Sequence, residues 1–443
     1  MNNTDKKKII FDVTVLVSGN VSGNIHKTGL YRVSFEILKN LNRLKLYDIF
    51  LFDVFNRERE IKKYVQKDFH NCSRIKVCSF WYRILFFPIG NFIDKLRISE
   101  QEKKNGISQT LTWGLKNILI IIERVAKKID RSFFQIINLK TEVNKCDLYY
   151  STYFPIPVPI RLNTKLKKVY TIHDIIPVIH PEHFSSPFNE CLVKDVVDNI
   201  SVDDYVICVS ESTKKDLLRY RPELNHDQVV VALLAASENF HKVQDEEKIN
   251  LIKEKYNIPI NKGYLLSVCT LEPRKNLDTV LKSFRNILQK GKIKDMVLVL
   301  TGSPGWQSSV LLDDIKELNE KHDNSIIVTG FVRDDELTVL YSGAYAFIYL
   351  SLYEGFGLPP LEAMKCGVPV IASNNSSLPE VIGDCGILIN STEISELTDA
   401  INLLYENRNL HNKLGYKSFL RASEFDFGKT VEIIHQVFEV SLK

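Results

Sequence analysis

From Gly263 onward the chain alternates short apolar runs with amphipathic stretches, and no two apolar runs are joined by a hairpin turn signal. Tyr264 to Cys269, Met296 to Leu300, Ser325 to Thr329, Ala344 to Leu350, Val368 to Ala372 and Ile387 to Ile389 read as strands. Asn276 to Gln289, Trp306 to Lys321, Asp334 to Tyr341 and Pro360 to Cys366 read as the helices between them, the last ending at Gly367 as a C′ residue. Strands that are apolar throughout are buried on both faces. Strands separated by helices pair in parallel. The pattern predicts an α/β, doubly wound parallel sheet.

The N-terminal half repeats the alternation with longer interruptions. Strands are expected at Ile9 to Val17, Ile49 to Val54, Leu148 to Tyr150, Lys168 to Ile172 and Tyr205 to Val209. Helices are expected at Leu30 to Asn42, Pro187 to Ile200 and Glu211 to Arg219. The polar segment Val243 to Asn261 separates the halves. This predicts a domain over 1–245, a second over 246–424 and a closing helix within 425–443. At 443 residues, two or three domains are the prior. Ligands of open parallel sheets bind beyond the carboxyl ends of the strands, so chemistry is sought in the loops that follow them.

Composition narrows the classes. A 44% hydrophobic, 25% charged chain is globular. Its formal net charge of +4 gives no ground for a nucleic-acid partner. The eight cysteines form no C-x-x-C pair, and several sit inside apolar runs, as in Val206-Ile207-Cys208-Val209. They read as reduced core thiols of a cytosolic protein. No stretch reaches the roughly 18 apolar residues of a membrane span. Residues 74–140 stand apart, with 13 Lys or Arg against 5 Asp or Glu and with clusters such as Phe80-Trp81-Tyr82 and Ile118 to Ile122. Two readings stay open: an interfacial segment resting on anionic lipid, or a helical insertion packed on the N-domain with a solvated basic face.

The richest loop is Ser351-Leu352-Tyr353-Glu354-Gly355-Phe356-Gly357-Leu358-Pro359-Pro360-Leu361-Glu362. It follows a strand and opens a helix. Gly355 and Gly357 let backbone approach a ligand, and helix N–H groups favour an anion such as phosphate. Glu354 and Glu362 bracket that anion site, where carboxylates suit sugar and ribose hydroxyls. Arg274 and Lys275 follow the first strand of the C-terminal half, at the same sheet edge, able to neutralise a diphosphate. Asn276 is placed to N-cap the next helix. His173, in Tyr170-Thr171-Ile172-His173-Asp174-Ile175-Ile176-Pro177, lies just past a strand of the other half and can donate to a hydroxyl. The loop Ser18 to Gly29 is Gly-rich but is not G-x-G-x-x-G, which argues against a nicotinamide dehydrogenase. There is no Asp-x-Asp, the usual acidic handle for a nucleotide-bound metal, so neither metal nor cofactor is expected.

Taken together, Leu271 to Asn276, Thr329-Gly330-Phe331-Val332, Glu354 to Glu362 and His173-Asp174 resemble retaining glycosyltransferase family 4 of the GT-B fold, the glutamates matching its E-x7-E signature. The resemblance is strong over 260–390, fair over 165–235 and weak over 40–145. It implies two facing Rossmann-like domains with the active site in the cleft between them. It further implies that Glu354 contacts the transferred sugar and that Glu362 contacts the nucleotide ribose. Arg274 and Lys275 would hold the diphosphate with backbone N–H groups near Gly355, Phe356, Gly357 and Leu358. Gly330, Phe331 and Val332 would lie against the base, His173 would point at the donor sugar, and Gly29 would belong to a loop closing toward the phosphates. Two departures stand out: Cys269-Thr270 replaces a common Gly-Arg pair, and Phe425 and Phe427 stand where a tryptophan is usual.

The expected activity is hexosyl transfer with retention, from GDP-mannose first and UDP-hexoses next. The expected acceptor is a saccharide or lipid-linked oligosaccharide of surface polysaccharide synthesis, at the inner face of the cytoplasmic membrane. A glycosidase would set its two carboxylates across the scissile bond, whereas these flank a phosphate-type loop. A non-catalytic GT-B chain that holds a nucleotide sugar as scaffold or sensor is the remaining alternative.

Overall fold

The computed structural model describes residues 6–21, 29–55, 57, 60–62, 69, 71–75, 134–184, 187–291, 293–322 and 324–443. Most of the basic, aromatic stretch expected at 74–140 lies outside them, as does the loop 22–28.

Thirteen strands are described: β1 (Lys7–Asp12), β2 (Tyr47–Phe52), β3 (Ser73–Arg74), β4 (Leu148–Ser151), β5 (Lys167–Ile172), β6 (Tyr205–Cys208), β7 (Val229–Val231), β8 (Gly263–Val268), β9 (Met296–Thr301), β10 (Ile326–Gly330), β11 (Ala346–Tyr349), β12 (Val370–Ser373) and β13 (Ile387–Ile389). They form a seven-stranded sheet, β3-β2-β1-β4-β5-β6-β7, and a six-stranded sheet, β10-β9-β8-β11-β12-β13. The ladders described are parallel, as helix-separated strands require. The second order reads 3-2-1-4-5-6 from its own first strand, the Rossmann winding, and the first reads the same with β7 added at its edge. Each sheet therefore has a switch point, between β1 and β4 in the first and between β8 and β11 in the second.

By contacts the chain divides into Met1–Tyr170 with Val437–Lys443, and Thr171–Gln436. The division falls inside β5, whereas the sheets change over between β7 and β8. The last helix, Phe427–Ser441, starts in the second unit, and its final residues belong to the first. There Phe438 packs edge-on against Tyr47 and Tyr150.

The second sheet shows why its sequence reads so clearly. All six residues of β9 are buried. The helix Leu277–Lys290 buries Leu277, Val280, Leu281, Phe284 and Ile287, an i, i+3, i+4, i+7 stripe, against that face. At 2–3% exposure Phe284 and Leu281 are core residues in the full sense. Glycines in the left-handed region close helices at Gly291 (φ 61°) and Gly367 (φ 74°).

The expected strand Ile9 to Val17 is corrected. β1 stops at Asp12, and Thr14–Val21 is a helix. The Asp12 carboxylate accepts the Thr14 N–H at 2.9 Å, turning the chain out of extended conformation. Residues 13–17 are all buried, Thr14 among them, so this continuous run leaves no 3.6-residue periodicity to read. Asn276 holds the expected N-cap position, but its side chain does not cap. It precedes its helix at φ 53° with no side-chain cap, its amide donating to the Ser391 carbonyl at 2.6 Å and its Oδ1 accepting from Thr279 at 2.8 Å.

Asp12 is fully buried. Burial, with a smaller push from Asp53, raises its carboxyl to about 7 against the bonds from Thr14 and Tyr149, the latter at 3.3 Å. A folded value above the unfolded 3.8 means the folded chain holds the extra proton, so stability falls as pH rises from about 4 to about 7. Asp12→Asn is expected to remove this slope and to be more stable than wild type at pH 8, by roughly 1–4 kcal/mol. Unfolding midpoints between pH 5 and 8 test it, and parallel curves for the two proteins would refute it.

Candidate functional site

The candidate site sits at the switch point of the second sheet. After β8 the chain passes Cys269, Thr270 and Leu271 into a single 3-10 turn, Pro273–Lys275. After β11 it runs through Ser351 to Gly357 and enters the helix Leu358–Lys365. Main-chain bonds stitch the two loops: the Leu352 N–H donates to the Arg274 carbonyl at 2.9 Å, and Ser351 Oγ donates to the same oxygen at 3.2 Å.

Across that seam lies a buried charge cluster. Lys275 Nζ contacts Glu354 Oε1 directly and donates to Tyr349 Oη at 3.0 Å. Arg274 Nη1 lies 3.1 Å from Glu354 Oε2 and donates to the Tyr353 carbonyl at 2.8 Å, and its Nη2 bonds Glu272 at 3.0 Å. Tyr349 and Ser351 hydroxyls donate to Glu354 Oε1 at 2.9 and 2.5 Å. The Arg274, Lys275 and Glu354 side chains are only 10–13% exposed. Burial by itself would raise the Glu354 carboxyl, but Arg274 and Lys275 outweigh it and hold it at about 2. The Tyr349 phenol is pushed well up by burial and by Glu354. Arg274 Nε is buried with no hydrogen-bond partner, a donor with spare capacity at the strand ends.

The His173-Asp174 loop closes on the same place. A Cβ at Gly355 would fall 2.1 Å from the His173 carbonyl oxygen and 2.8 Å from Asp174 Cβ, so only glycine fits. The Gly355 carbonyl accepts from Ser210 at 2.7 Å and from Thr213 at 3.1 Å, and the Thr213 hydroxyl also reaches the His173 carbonyl at 3.3 Å. Asp174 accepts the Ile176 N–H at 3.1 Å, and its carboxyl is raised by burial, against the pull of Arg274.

The helix Leu358–Lys365 begins at Gly357, whose φ of 115° excludes other residues. Proline in its first turn removes N–H groups that a helix start leaves unpaired anyway. Glu362 is buried one turn in and accepts from Tyr341 Oη at 3.0 Å. At the end of β10, Gly330 (φ 70°) has no atom within 4 Å of where a Cβ would stand, Phe331 is 52% exposed and Val332 is buried. Phe425 packs edge-on against Phe356. Gly29 opens the helix Gly29–Leu44 in the first unit.

Thus Arg274, Lys275 and Glu354 meet, His173 abuts their loop through its backbone, Gly330 to Val332 follow at the end of β10, two strands from β8, and Glu362 lies in the helix after β11. Sequence reasoning missed the polar run Ser373-Asn374-Asn375-Ser376-Ser377 after β12. Ser376 Oγ accepts the Glu354 N–H at 3.0 Å, Ser377 Oγ donates to the Glu354 and Phe356 carbonyls at 3.0 and 2.7 Å, and Ser373 Oγ donates to the Ser351 carbonyl at 2.8 Å. Its position at a strand's carboxyl end was the available signal. Also missed was Glu380, which accepts the Glu211 and Ser212 N–H groups at 2.8 and 2.7 Å, at the start of the helix Glu211–Tyr220.

Comparison with known proteins bears on this site directly, because residues 248–421, which contain Arg274, Lys275, Glu354 and Glu362, match the family model for glycosyl transferases group 1. These residues are a group 1 glycosyl transferase domain. Among curated proteins, the chain is 32% identical over 234 residues to O-antigen chain mannosyltransferase B of Escherichia coli, covering 52% of this chain and 59% of that one. It is 28% identical over 283 residues to serotype-specific mannosyltransferase WbdA of Escherichia coli, covering 62% of this chain and 34% of the other. The chain therefore spans less than two thirds of these relatives. Among solved structures it is similar to Anabaena HepE in complex with UDP, with TM-score 0.64, 16% identity, and coverage of 98% and 100%. Two Rossmann-like parallel sheets with this match make the fold GT-B.

In the group 1 domain, Glu354→Gln leaves Lys275 buried without its counter-charge and Arg274 with Glu272 alone. It is expected to cost about 2–5 kcal/mol of stability. Glu354 has a folded value below its unfolded one, so its contribution is present above about 4.5 and is lost as pH falls through about 2. The gap between wild type and variant should therefore stay level from pH 5.5 to 8 in denaturant unfolding. A gap that closes within that range would contradict the assignment.

Proposed function

We propose that the chain is a retaining hexosyltransferase. It moves a sugar, mannose in the first instance, from a nucleotide-diphosphate donor (GDP-mannose or a UDP-hexose) to a saccharide or lipid-linked oligosaccharide acceptor of surface polysaccharide synthesis. The observation that carries this reading is the Arg274–Glu354–Lys275 cluster at the switch point, beside a glycine-started helix. In retaining transfer the diphosphate departs on the face that the acceptor attacks, and negative charge grows on the leaving oxygens. Arg274 with its unpaired Nε, Lys275, and the N–H groups of Phe356, Gly357 and Leu358 are the donors suited to that charge. Glu354, ionised at any physiological pH, can accept from sugar hydroxyls without needing a proton change.

Glu362 is assigned to the ribose, Gly330, Phe331 and Val332 to the base, and His173 to the donor sugar. Gly29 is assigned to the loop that closes toward the phosphates. Residues 246–424 form the donor-binding domain in this reading, and 1–245 the acceptor-side domain. A relative named as an O-antigen chain mannosyltransferase and one named as a serotype-specific mannosyltransferase support mannose and the polysaccharide acceptor, while HepE with UDP supports keeping uridine donors open. No helix among the described residues is long and apolar enough to cross a membrane. A lipid-linked acceptor at the inner membrane face would be met by peripheral contact with anionic lipid, for which the composition of 74–140 is suited.

The test is turnover of a donor panel (GDP-mannose, UDP-glucose, UDP-galactose, ADP-glucose) with saccharide acceptors, with and without EDTA. One donor should be consumed with an α-linked product from an α-donor. Arg274→Ala and Lys275→Ala should each lower kcat by about 100-fold or more, the scale of losing one donor to a developing oxyanion. Selective nucleotide-sugar binding with no transfer to any acceptor would favour the scaffold or sensor reading instead.

A further inference from the structure

The second unit holds a donor set that the proposed transfer does not use. Just beyond the His173-Asp174 loop, His180-Pro181-Glu182-His183 forms one 3-10 turn, Pro181–His183, tied by the His183 N–H to the His180 carbonyl at 3.1 Å and the Phe184 N–H to the Pro181 carbonyl at 3.1 Å. That turn brings His180, Glu182 and His183 to one side, with one ligand-type atom from each, all within 4.8 Å of one another. We propose that His180, Glu182 and His183 form a binding site for a borderline divalent transition ion of the zinc class.

Three arguments carry it. The donors are two imidazoles and a carboxylate, the set that suits zinc, and not the all-oxygen set that magnesium or calcium requires. His180 Nδ1 and Glu182 Oε1 are 3.1 Å apart. Two ligands at zinc's ~2.0–2.1 Å and tetrahedral angle lie roughly 3.3 Å apart, so an ion can replace the bridging proton with little movement. His180 is also oriented from its other side, since its ring lies 5.0 Å from that of Tyr353, whose hydroxyl is held by Asp216 at 2.6 Å. A ligand fixed in this way loses less freedom on binding.

His183 completes the set. Its ring is 5.5 Å from that of His180, and side-chain rotation closes the remaining distance. Glu182 and Glu272 place negative charge near His183, and Arg274 places positive charge there. Three protein ligands leave a fourth position open to water or to an oxygen of a ligand.

The site is tested with Zn²⁺ alone on the full chain, by competition with a chromophoric chelator, and by the visible spectrum of the Co²⁺ form. Wild type should bind one more equivalent than the His180→Ala/His183→Ala double variant, which keeps every cysteine and so subtracts any thiol-bound zinc. His180→Ala, His183→Ala and the exposed Glu182→Gln should each weaken that equivalent at least 10-fold, with far-UV circular dichroism unchanged, and a large excess of Mg²⁺ should not compete. No extra equivalent in wild type, or affinity unchanged in all three single variants, overturns the proposal. Neither result depends on sugar transfer, so the site stands or falls apart from the proposed function.

Discussion

A carboxylate between two cations, buried at the point where a parallel sheet reverses its winding, is the constraint around which the second sheet is arranged. Glu354 is held in the charged form by Arg274 and Lys275, and in turn it supplies counter-charge to both buried cations, Arg274 having Glu272 as a second partner. The strand order makes the meeting possible. β8 and β11 are neighbours in the sheet although β9 and β10 intervene in sequence, so the loops after them open side by side.

Around this cluster the backbone is fixed by small polar groups and by the absence of side chains. Serine hydroxyls from the loop after β12 bind both the N–H and the carbonyl of Glu354. Gly355 lets the His173 carbonyl come closer than any Cβ would allow, while Ser210 and Thr213 hold its own carbonyl. Tyr353 joins these parts: its carbonyl accepts from Arg274, its hydroxyl bonds Asp216, and its ring faces His180. Charged, polar and aromatic contacts thus converge on one loop, which limits the conformations Glu354 can take.

Much of this was legible in the sequence for identifiable reasons. The strands of the second sheet are apolar on both faces, and their helices carry one clean stripe, so the winding could be read from pattern alone. Glycines beside a carboxylate, after a strand and before a helix, marked the Glu354 loop. Other features were hidden. Val13 to Val17 is buried on every side, so its helix left no periodicity. Arg274, Lys275 and Glu354 were each recognisable, but assigning them to separate ligand groups missed that they pair with each other, since pairing follows from strand order and not from spacing. The serine run after β12 is marked only by its place at a strand's carboxyl end, and the His180 to His183 turn carries no signal beyond polarity until the chain folds.

The separation along the chain of the charges that meet at the switch point also bears on how this protein folds. Lys275 and Glu354 are 79 residues apart, and what joins their loops is the pairing of β8 with β11. A chain growing from its N-terminus carries Lys275 without its carboxylate, and Arg274 with only Glu272, through the making of β9 and β10, and Glu354 arrives only with the loop after β11. Closing so long a loop is slow relative to helix formation. The charge cluster therefore cannot assemble before β8 and β11 pair.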